Sequence, residues 1–412
     1  MNQPLRRPIR LREATNSLVY SSLVERVADE GSRAWDVHLR GRELEAEGQD
    51  VIFLGVGDPD FDTPAEITQA AIDALHAGRT HYPGSAGIPE LRAAIARYRI
   101  ERTGQPVEAE QVIVCPGAQN GLYVTLACLV EAGDEVIVLN PAYATYQATV
   151  RSSGAEPVGV PLRAENGFHL DPADLAAAAT PRTRAILINF PHNPTGAMVE
   201  AKELAALAEI CQANDLWLIS DEVYAEVTYD SRTQRSPALL PGLADRTVVV
   251  DSLSKSHAMT GWRIGWIIAP GGMADHLNNV MQCMLYGCAM FIQDAAVTAV
   301  SQQFQEASAM RAEFGIRRNA ISARINAIPR LACVPPEGGM FLMIDIRETG
   351  IDSLAFANRL VEEEKVVLLA GSSFGASAEG FLRLSLTSPR AKLEEACERL
   401  ARFTARLSDL PR

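Results

Sequence analysis

The sequence predicts an α/β fold: a large, mostly parallel sheet covered by helices, followed by a smaller α/β lobe. Three observations predict it. Between about residues 63 and 270, short β-branched runs alternate with helical stretches, the pattern that parallel strands and their crossover helices leave in a chain. After about residue 300 the texture changes to a long helical stretch, short apolar runs and a closing helix. Finally, 412 residues with 47% hydrophobic content can bury a large core and support more than one lobe.

Taken in order, Thr63-Pro64 followed by AEITQAAIDALHAG reads as a helix with a hydroxyl cap, a proline in the first turn and a glycine stop. Strands are expected at QVIVC (111–115), DEVIVLN (134–140), AEPVGV (155–160), RAILINF (184–190), LWLIS (216–220) and RTVVVD (246–251). Helical patterns such as GLYVTLACLVEAG and KELAALAEICQAND lie between several of them. One long helix is expected from QDAAVTAVSQQF through INAIP, then LACVPPEGGMFLMIDI, FANRLVEEEKVVLLAG, FLRLSLT and a final helix at PRAKLEEACERLARF. The expected division is an N-terminal arm with part of the small domain over 1–60, a large domain over 61–300 and a small domain over 301–412.

Composition narrows the function. A net charge of −13 argues against binding a phosphate backbone. No apolar run approaches the ~18 residues of a membrane span, and the arginine-rich start lacks the apolar core of a secretory signal. Seven scattered cysteines without a CxxC pair read as core thiols of a cytoplasmic protein, and seven histidines without HExxH spacing give no metal site.

Chemistry gathers where the strands end. After QVIVC comes Pro116-Gly117-Ala118-Gln119-Asn120 and a helix, a small-residue turn whose free N–H groups and dipole suit an anion. Tyr143 follows the next strand, and Asn193 sits in the rigid turn PHNPTG. Asp221 and Tyr224 follow LWLIS; Ser252, Ser254, Lys255 and Arg263 follow RTVVVD. Each has a plainer reading: Asn193 as a turn former, Asp221 as a helix cap, Ser252-x-x-Lys255 as an acylating-serine motif whose partner motifs are absent. GVGDPD at 55–60 lacks the third glycine of a dinucleotide fingerprint. Together they form one set: anion cradle, flat aromatic, carboxylate, phenol, amide and a lysine in a chain that has only four. Lysine is seldom buried without a partner or a task. A lysine amine can bond covalently to an aldehyde cofactor, and pyridoxal 5'-phosphate is the one that needs all the rest.

The motifs that carry these residues resemble the class I/II aminotransferases, pyridoxal-phosphate enzymes of fold type I. The resemblance rests on LGVGDPDFDTP (54–64), THYPGSAGIPELRAAIARY (80–98), GAQNGLYVTLACLVEAGDEVIVLNPAYATY (117–146), NFPHNPTG (189–196), SDEVY (220–224), SLSKSHAMTGWRIGW (252–266), PEGGMFLMIDI (336–346) and FLRLSLT (381–387). It implies a large domain with a mostly parallel seven-stranded sheet and a homodimer with shared active sites. It implies Lys255 as Schiff-base lysine and proton shuttle, Asp221 on the pyridine nitrogen, Asn193 and Tyr224 on the ring oxygen, and Tyr143 stacked on the ring. The phosphate would be held by the backbone at Ala118 and Gln119, by Ser252, Ser254 and Arg263, and by Tyr82 of the neighbouring subunit. Gln119 is larger than the residues usual in that turn, which a backbone contact tolerates. Arg383 would take the substrate α-carboxylate, helped by Asn193 and the backbone near Gly57.

No motif supplies a second arginine for a distal carboxylate, which argues against an aspartate-type substrate. The runs RAWDVHLRG (33–41), SLSKSHAMTGW, CMLYGCAMFIQDAA (283–296) and GGMFLMIDIRETG (338–350) resemble the arginine–pyruvate transaminases in particular. That subgroup implies arginine or another long amino acid as donor, a 2-oxo acid such as pyruvate as acceptor, and a ping-pong exchange. Acids would then be wanted in the pocket, with Glu25, Asp29 and Asp36 as candidates, although solvated surface charge is the commoner role for each. Four alternatives use the same scaffold: a β-lyase acting on cysteine conjugates, an aspartate or aromatic aminotransferase, a transcription regulator, and a relative with dead chemistry. The regulator needs a basic DNA-binding domain that the acidic chain has no room for ahead of residue 50, and dead chemistry would need Lys255 or Asp221 lost, whereas both are present.

Overall fold

The computed structural model describes residues 19–28 and 34–407. One sheet has seven strands: β2 (Val112–Cys115), β3 (Glu135–Asn140), β4 (Glu156–Pro161), β5 (Thr183–Asn189), β6 (Trp217–Asp221), β7 (Thr247–Ser252) and β8 (Gly265–Ile268). Their order across the sheet is β2-β8-β7-β6-β5-β3-β4. Only β8 runs antiparallel to its neighbours, β7 and β2. The central strands read as almost unbroken apolar runs because helices cover both faces, so burial leaves no alternation to display.

Strand β8 escapes sequence reading. It is four residues long, contains a glycine and a tryptophan, and follows β7 after only a one-turn helix (Leu253–Ser256) and a short 3-10 turn. No crossover helix precedes it, so it can pair only by running back antiparallel.

Three other strands, β9 (Phe341–Asp345), β11 (Leu369–Ala370) and β12 (Phe381–Ser385), form an antiparallel sheet in the order β11-β12-β9. The short β1 (Ile52–Phe53) pairs in parallel with β10 (Val366–Val367), matching Ile52 with Val366. One core thus joins Val37, Leu44 and Leu54 from the N-terminal part to Ile321, Phe356, Leu382 and Phe403. Within it Phe356 and Phe403 meet edge-on at 4.9 Å, a geometry worth about 0.5–1.5 kcal/mol beyond the area it buries.

Two local expectations change. Thr63 does not cap the helix Ala65–His76, whose N-cap is Pro64. Its hydroxyl donates instead to the Ala258 carbonyl at 2.7 Å and accepts from the Trp262 indole at 3.0 Å, tying the loop before the helix to the segment after Lys255. The long helix expected across 293–329 is two, Met290–Ser301 and Gln305–Asn326. At Gln302 the backbone turns extended (φ −149°, ψ 169°), which lets Phe304 bury in the core beside Ile67 and Trp266. Among the described residues no helix is long and apolar enough to cross a membrane.

Strand register sets which side chains meet. Asn189 on β5 lies opposite Asp221 on β6, and Ser252 and Cys115 both lie opposite Gly265. The carboxyl ends of four parallel strands therefore meet along one edge, where open α/β sheets present their ligands.

Candidate active site

A cavity of about 250 Å³ opens at that edge, closed from the other side by β12, Phe341 and Phe374. Of the residues the sequence singled out, Gly57, Ala118, Gln119, Tyr143, Asn193 and Asp221 line it, with Tyr224, Ser252, Ser254, Lys255, Arg263 and Arg383. Tyr82 does not. It stands 85% exposed outside the cavity, edge-on to Tyr286 at 5.9 Å.

The anion cradle begins at Gly117, which caps the helix Ala118–Leu129 at φ +86°. A Cβ there would lie 2.2 Å from Arg263 Nη2, so conformation and space both require glycine. Arg263 itself sits in the left-handed region at φ +52°. Its guanidinium donates to the carbonyls of Thr260 (2.7 Å) and Pro116 (3.2 Å), which fixes it beside the helix start. The first-turn N–H groups of Ala118 and Gln119 have no acceptor in a preceding turn. The Gln119 side chain turns away from them: its amide donates to Thr149 Oγ1 at 2.9 Å and accepts from Thr145 Oγ1 at 2.8 Å. Its length thus leaves the cradle clear. Ser252 caps the turn that carries Lys255, its hydroxyl accepting from the Ser254 N–H at 3.4 Å.

Asp221 is buried at the end of β6. Burial pushes its carboxyl up to about 6, while hydrogen bonds from Tyr146 and the Val223 N–H hold it down. The Tyr146 hydroxyl donates to Oδ2 at 2.6 Å. Sequence reasoning missed this phenol, although it closes a motif already noted, NPAYATY. Asn189 was missed as well. Its amide donates to the Asp221 carbonyl at 2.9 Å and accepts from the Asn193 N–H at 3.0 Å, joining the PHNPTG turn to β6. The Asn193 amide nitrogen lies 3.4 Å from the Tyr224 hydroxyl, and burial raises the pKa of that phenol.

Lys255 keeps some exposure to the cavity, yet enough protein surrounds its ammonium for burial to lower its pKa to about 8. Asp58 and Asp221 pull the value up; Arg383 and Arg263 push it down. Its Nζ donates to the Gly57 carbonyl at 2.6 Å. A lysine so placed reaches its neutral, nucleophilic form near neutral pH, as a covalent or general-base role requires.

Arg383, between the core residues Leu382 and Leu384, faces the cavity from β12. Nη1 donates to Asn193 Oδ1 at 2.9 Å and Nη2 to the Gly55 carbonyl at 2.5 Å. Its guanidinium carbon lies 4.1 Å from the Phe341 ring centroid and 4.5 Å from that of Phe374. Nε is buried without a partner. A buried cation with an unmet donor is costly unless an acceptor arrives, and a carboxylate is the acceptor that suits it. Neither aromatic had a recognisable signal in sequence beyond the apolar company of Arg383.

Trp35 also lines the cavity, unpredicted. Glu25 and Asp36 are exposed on their helices and do not line it, which leaves them as solvated charge; Asp29 lies outside the described residues.

Residues 49–400 match the family model for aminotransferases of class I and II. The chain is 50% identical over 388 residues to the arginine–pyruvate transaminase of Pseudomonas aeruginosa, covering 94% of this chain and 98% of that protein. It is 39% identical to the aspartate aminotransferase of Geobacillus stearothermophilus, covering 88% and 94%. Among solved structures, the aromatic aminotransferase of Pyrococcus horikoshii superposes with a TM-score of 0.85 at 36% identity, covering 88% of this chain and 97% of that one. The aspartate aminotransferase of Thermus thermophilus with maleate gives 0.88 at 33% identity, covering 93% and 99%. The architecture is that of the fold type I aminotransferases, and the chain belongs to the class I and II family: it is an aminotransferase.

Proposed function

We propose that this aminotransferase uses pyridoxal 5'-phosphate in the cavity described, with arginine or another long amino acid as donor and pyruvate as acceptor. The observation that carries the donor and acceptor is the 50% identity, across nearly all of both chains, to a transaminase named for that pair. The cavity agrees with it. Among the described residues its lining includes three cations, Lys255, Arg263 and Arg383, each with a task, and offers no further one for the distal carboxylate of a dicarboxylic donor.

The donor set fits the cofactor. The space kept open by Gly117 beside Arg263, with the first-turn N–H groups, suits its phosphate. Asp221 suits the pyridine nitrogen, Asn193 and Tyr224 the phenolic oxygen, and Tyr143 the ring face. When bound, pyridoxal phosphate supplies an acceptor for the electron pair left by removal of the donor's α-proton. The chain does the remainder. Arg383 orients the α-carboxylate, Lys255 removes and returns the proton, and Asp221 stays ionised while Tyr146 donates to it. Both substrates use the cavity in turn, which is ping-pong behaviour. On this reading the protein is a cytoplasmic homodimer. Tyr82 reaches the phosphate site of a second copy, and the chain divides into an arm over 1–60, a large domain over 61–300 and a small domain over 301–412.

The test is spectroscopic. Loaded with pyridoxal phosphate, the protein is expected to show the visible absorption of a lysine-bound aldehyde. Arginine alone should bleach it stoichiometrically and pyruvate should restore it. Continuous production of ammonia and an oxo acid with no acceptor present would make it a β-lyase instead.

A further inference from the structure

The geometry points to Trp35 as the residue that reads the far end of the donor side chain, as a platform for a planar cation. This rests on the reading that the donor is arginine or a similarly long cationic amino acid.

Trp35 opens the helix Ala34–Ala46. Val37 and Leu44 bury one face of that helix, and Gly41 leaves room for Val367, whose Cγ2 would lie 2.5 Å from a Cβ at that position. Trp35, His38 and Arg42 follow at helical spacing along another stripe. On it the His38 ring meets Phe53 at 5.2 Å and the Arg42 guanidinium lies 4.3 Å from the same ring. Trp35 meets His38 at 5.7 Å and 86°, a contact that leaves much of the indole uncovered. The stripe therefore runs beside β1 toward Gly55–Gly57 and ends at the cavity wall. There Trp35 stands 49% exposed, with Val56, at 38%, lining the same wall.

Charge then selects the ligand. Burial and Arg42 lower the pKa of His38, so near neutral pH no charge lies beneath the indole from that ring. The lining cations gather at the other contacts, Arg263 at the helix start and Arg383 at β12. Among the described residues the one lining carboxylate, Asp221, is held by Tyr146. Among the described residues no lining carboxylate is left for a cation at the substrate's far end, and the face of a tryptophan is the strongest neutral receptor for it. Net charge −13 adds a field that favours a positive side chain.

The experiment compares arginine with citrulline, its neutral near-isostere, as donors to holoenzymes of the wild type, W35F and W35L. Trp35→Leu should lower kcat/KM for arginine roughly threefold to thirtyfold, mainly through KM because the contact is equal in ground and transition states. Citrulline should change far less, and Trp35→Phe should fall between. Equal losses for both donors would reduce Trp35 to an apolar wall and overturn the proposal. An arginine KM unchanged in both variants would overturn it too. If the wild type does not accept arginine at all, the donor assignment fails and this inference fails with it. Normal arginine turnover in the wild type with no discrimination in the variants sinks this inference alone.

Discussion

Replacing Tyr146 by phenylalanine removes one hydroxyl and keeps the ring that packs edge-on against Tyr143 at 5.5 Å. The lost bond is the 2.6 Å donation to Asp221 Oδ2, made in a buried site. A hydrogen bond to a charged group contributes about 1.5–3 kcal/mol. At about 1.4 kcal/mol per pH unit, its loss should raise the Asp221 pKa by roughly one to two units. Starting from about 6, the carboxyl is about nine-tenths ionised at pH 7; after the substitution roughly a half to a tenth would be. The neutral acid cannot pair with a protonated pyridine nitrogen. Apo-protein titrated with pyridoxal phosphate should therefore show weaker binding for Tyr146→Phe at pH 7. The deficit should shrink toward pH 9, where Asp221 is ionised in both proteins. A deficit independent of pH between 6 and 9, or none at pH 7, would refute the assignment of Tyr146 as the group that keeps Asp221 charged.

Three further outcomes rest on the same geometry. Arg383→Lys keeps a charge but loses the planar fork and the partnerless Nε, so kcat/KM for every amino donor should fall by roughly ten- to several-hundredfold, read by steady-state kinetics. Gly117→Ala strains a φ of +86° and displaces the Arg263 guanidinium, so inorganic phosphate and pyridoxal phosphate should both bind apo-protein roughly tenfold or more weakly by calorimetry. Asp58, held by the Thr260 hydroxyl at 2.6 Å, is foremost among the charges that raise the Lys255 pKa. Asp58→Asn should thus move the acid limb of the kcat/KM profile to lower pH, by less than about one unit because Asp58 is exposed to solvent.

What was legible in sequence was what strand ends announce. Asn193, Asp221 and Lys255 come directly after apolar runs, so an open sheet must bring them to one edge. The partners that tune them were not legible. Tyr146 reaches Asp221 across 75 residues, and Asn189 reads as one more residue inside a strand until register sets it beside Asp221. Phe341 and Phe374 come from separate segments and acquire a role only once Arg383 lies between them. Thr63 carried a cap signal, yet the Ala258 carbonyl and the Trp262 indole offered its hydroxyl better partners than a helix already begun by proline. Trp35 gave no signal, because a tryptophan in an amphipathic helix is ordinarily core.

The charges around Lys255 give a reason for two arginines to converge on one lysine. In the protein alone, Arg383 and Arg263 both push its pKa down, adding to burial, and bring it to about 8. In that state the amine is readily neutral and able to attack. A phosphate set against Arg263 and a carboxylate set on Arg383 would cancel much of that push, leaving burial opposed by Asp58 and Asp221. Lys255 would then be a stronger base at the moment when the donor's α-proton must be taken. On the proposed assignment, the two contacts that would orient cofactor and substrate would also switch the lysine from nucleophile to proton acceptor, with no movement of the main chain required. Arg383→Lys should therefore weaken this switch less than it weakens binding, since lysine keeps the charge and loses only the fork. A neutral replacement such as Arg383→Gln should instead remove one downward push outright. The apo-protein's Lys255 should then titrate above about 8, measurable by the pH dependence of its reaction with a small aldehyde. An unshifted profile would mean that burial alone sets the lysine, and that the arginines serve only to hold their anions.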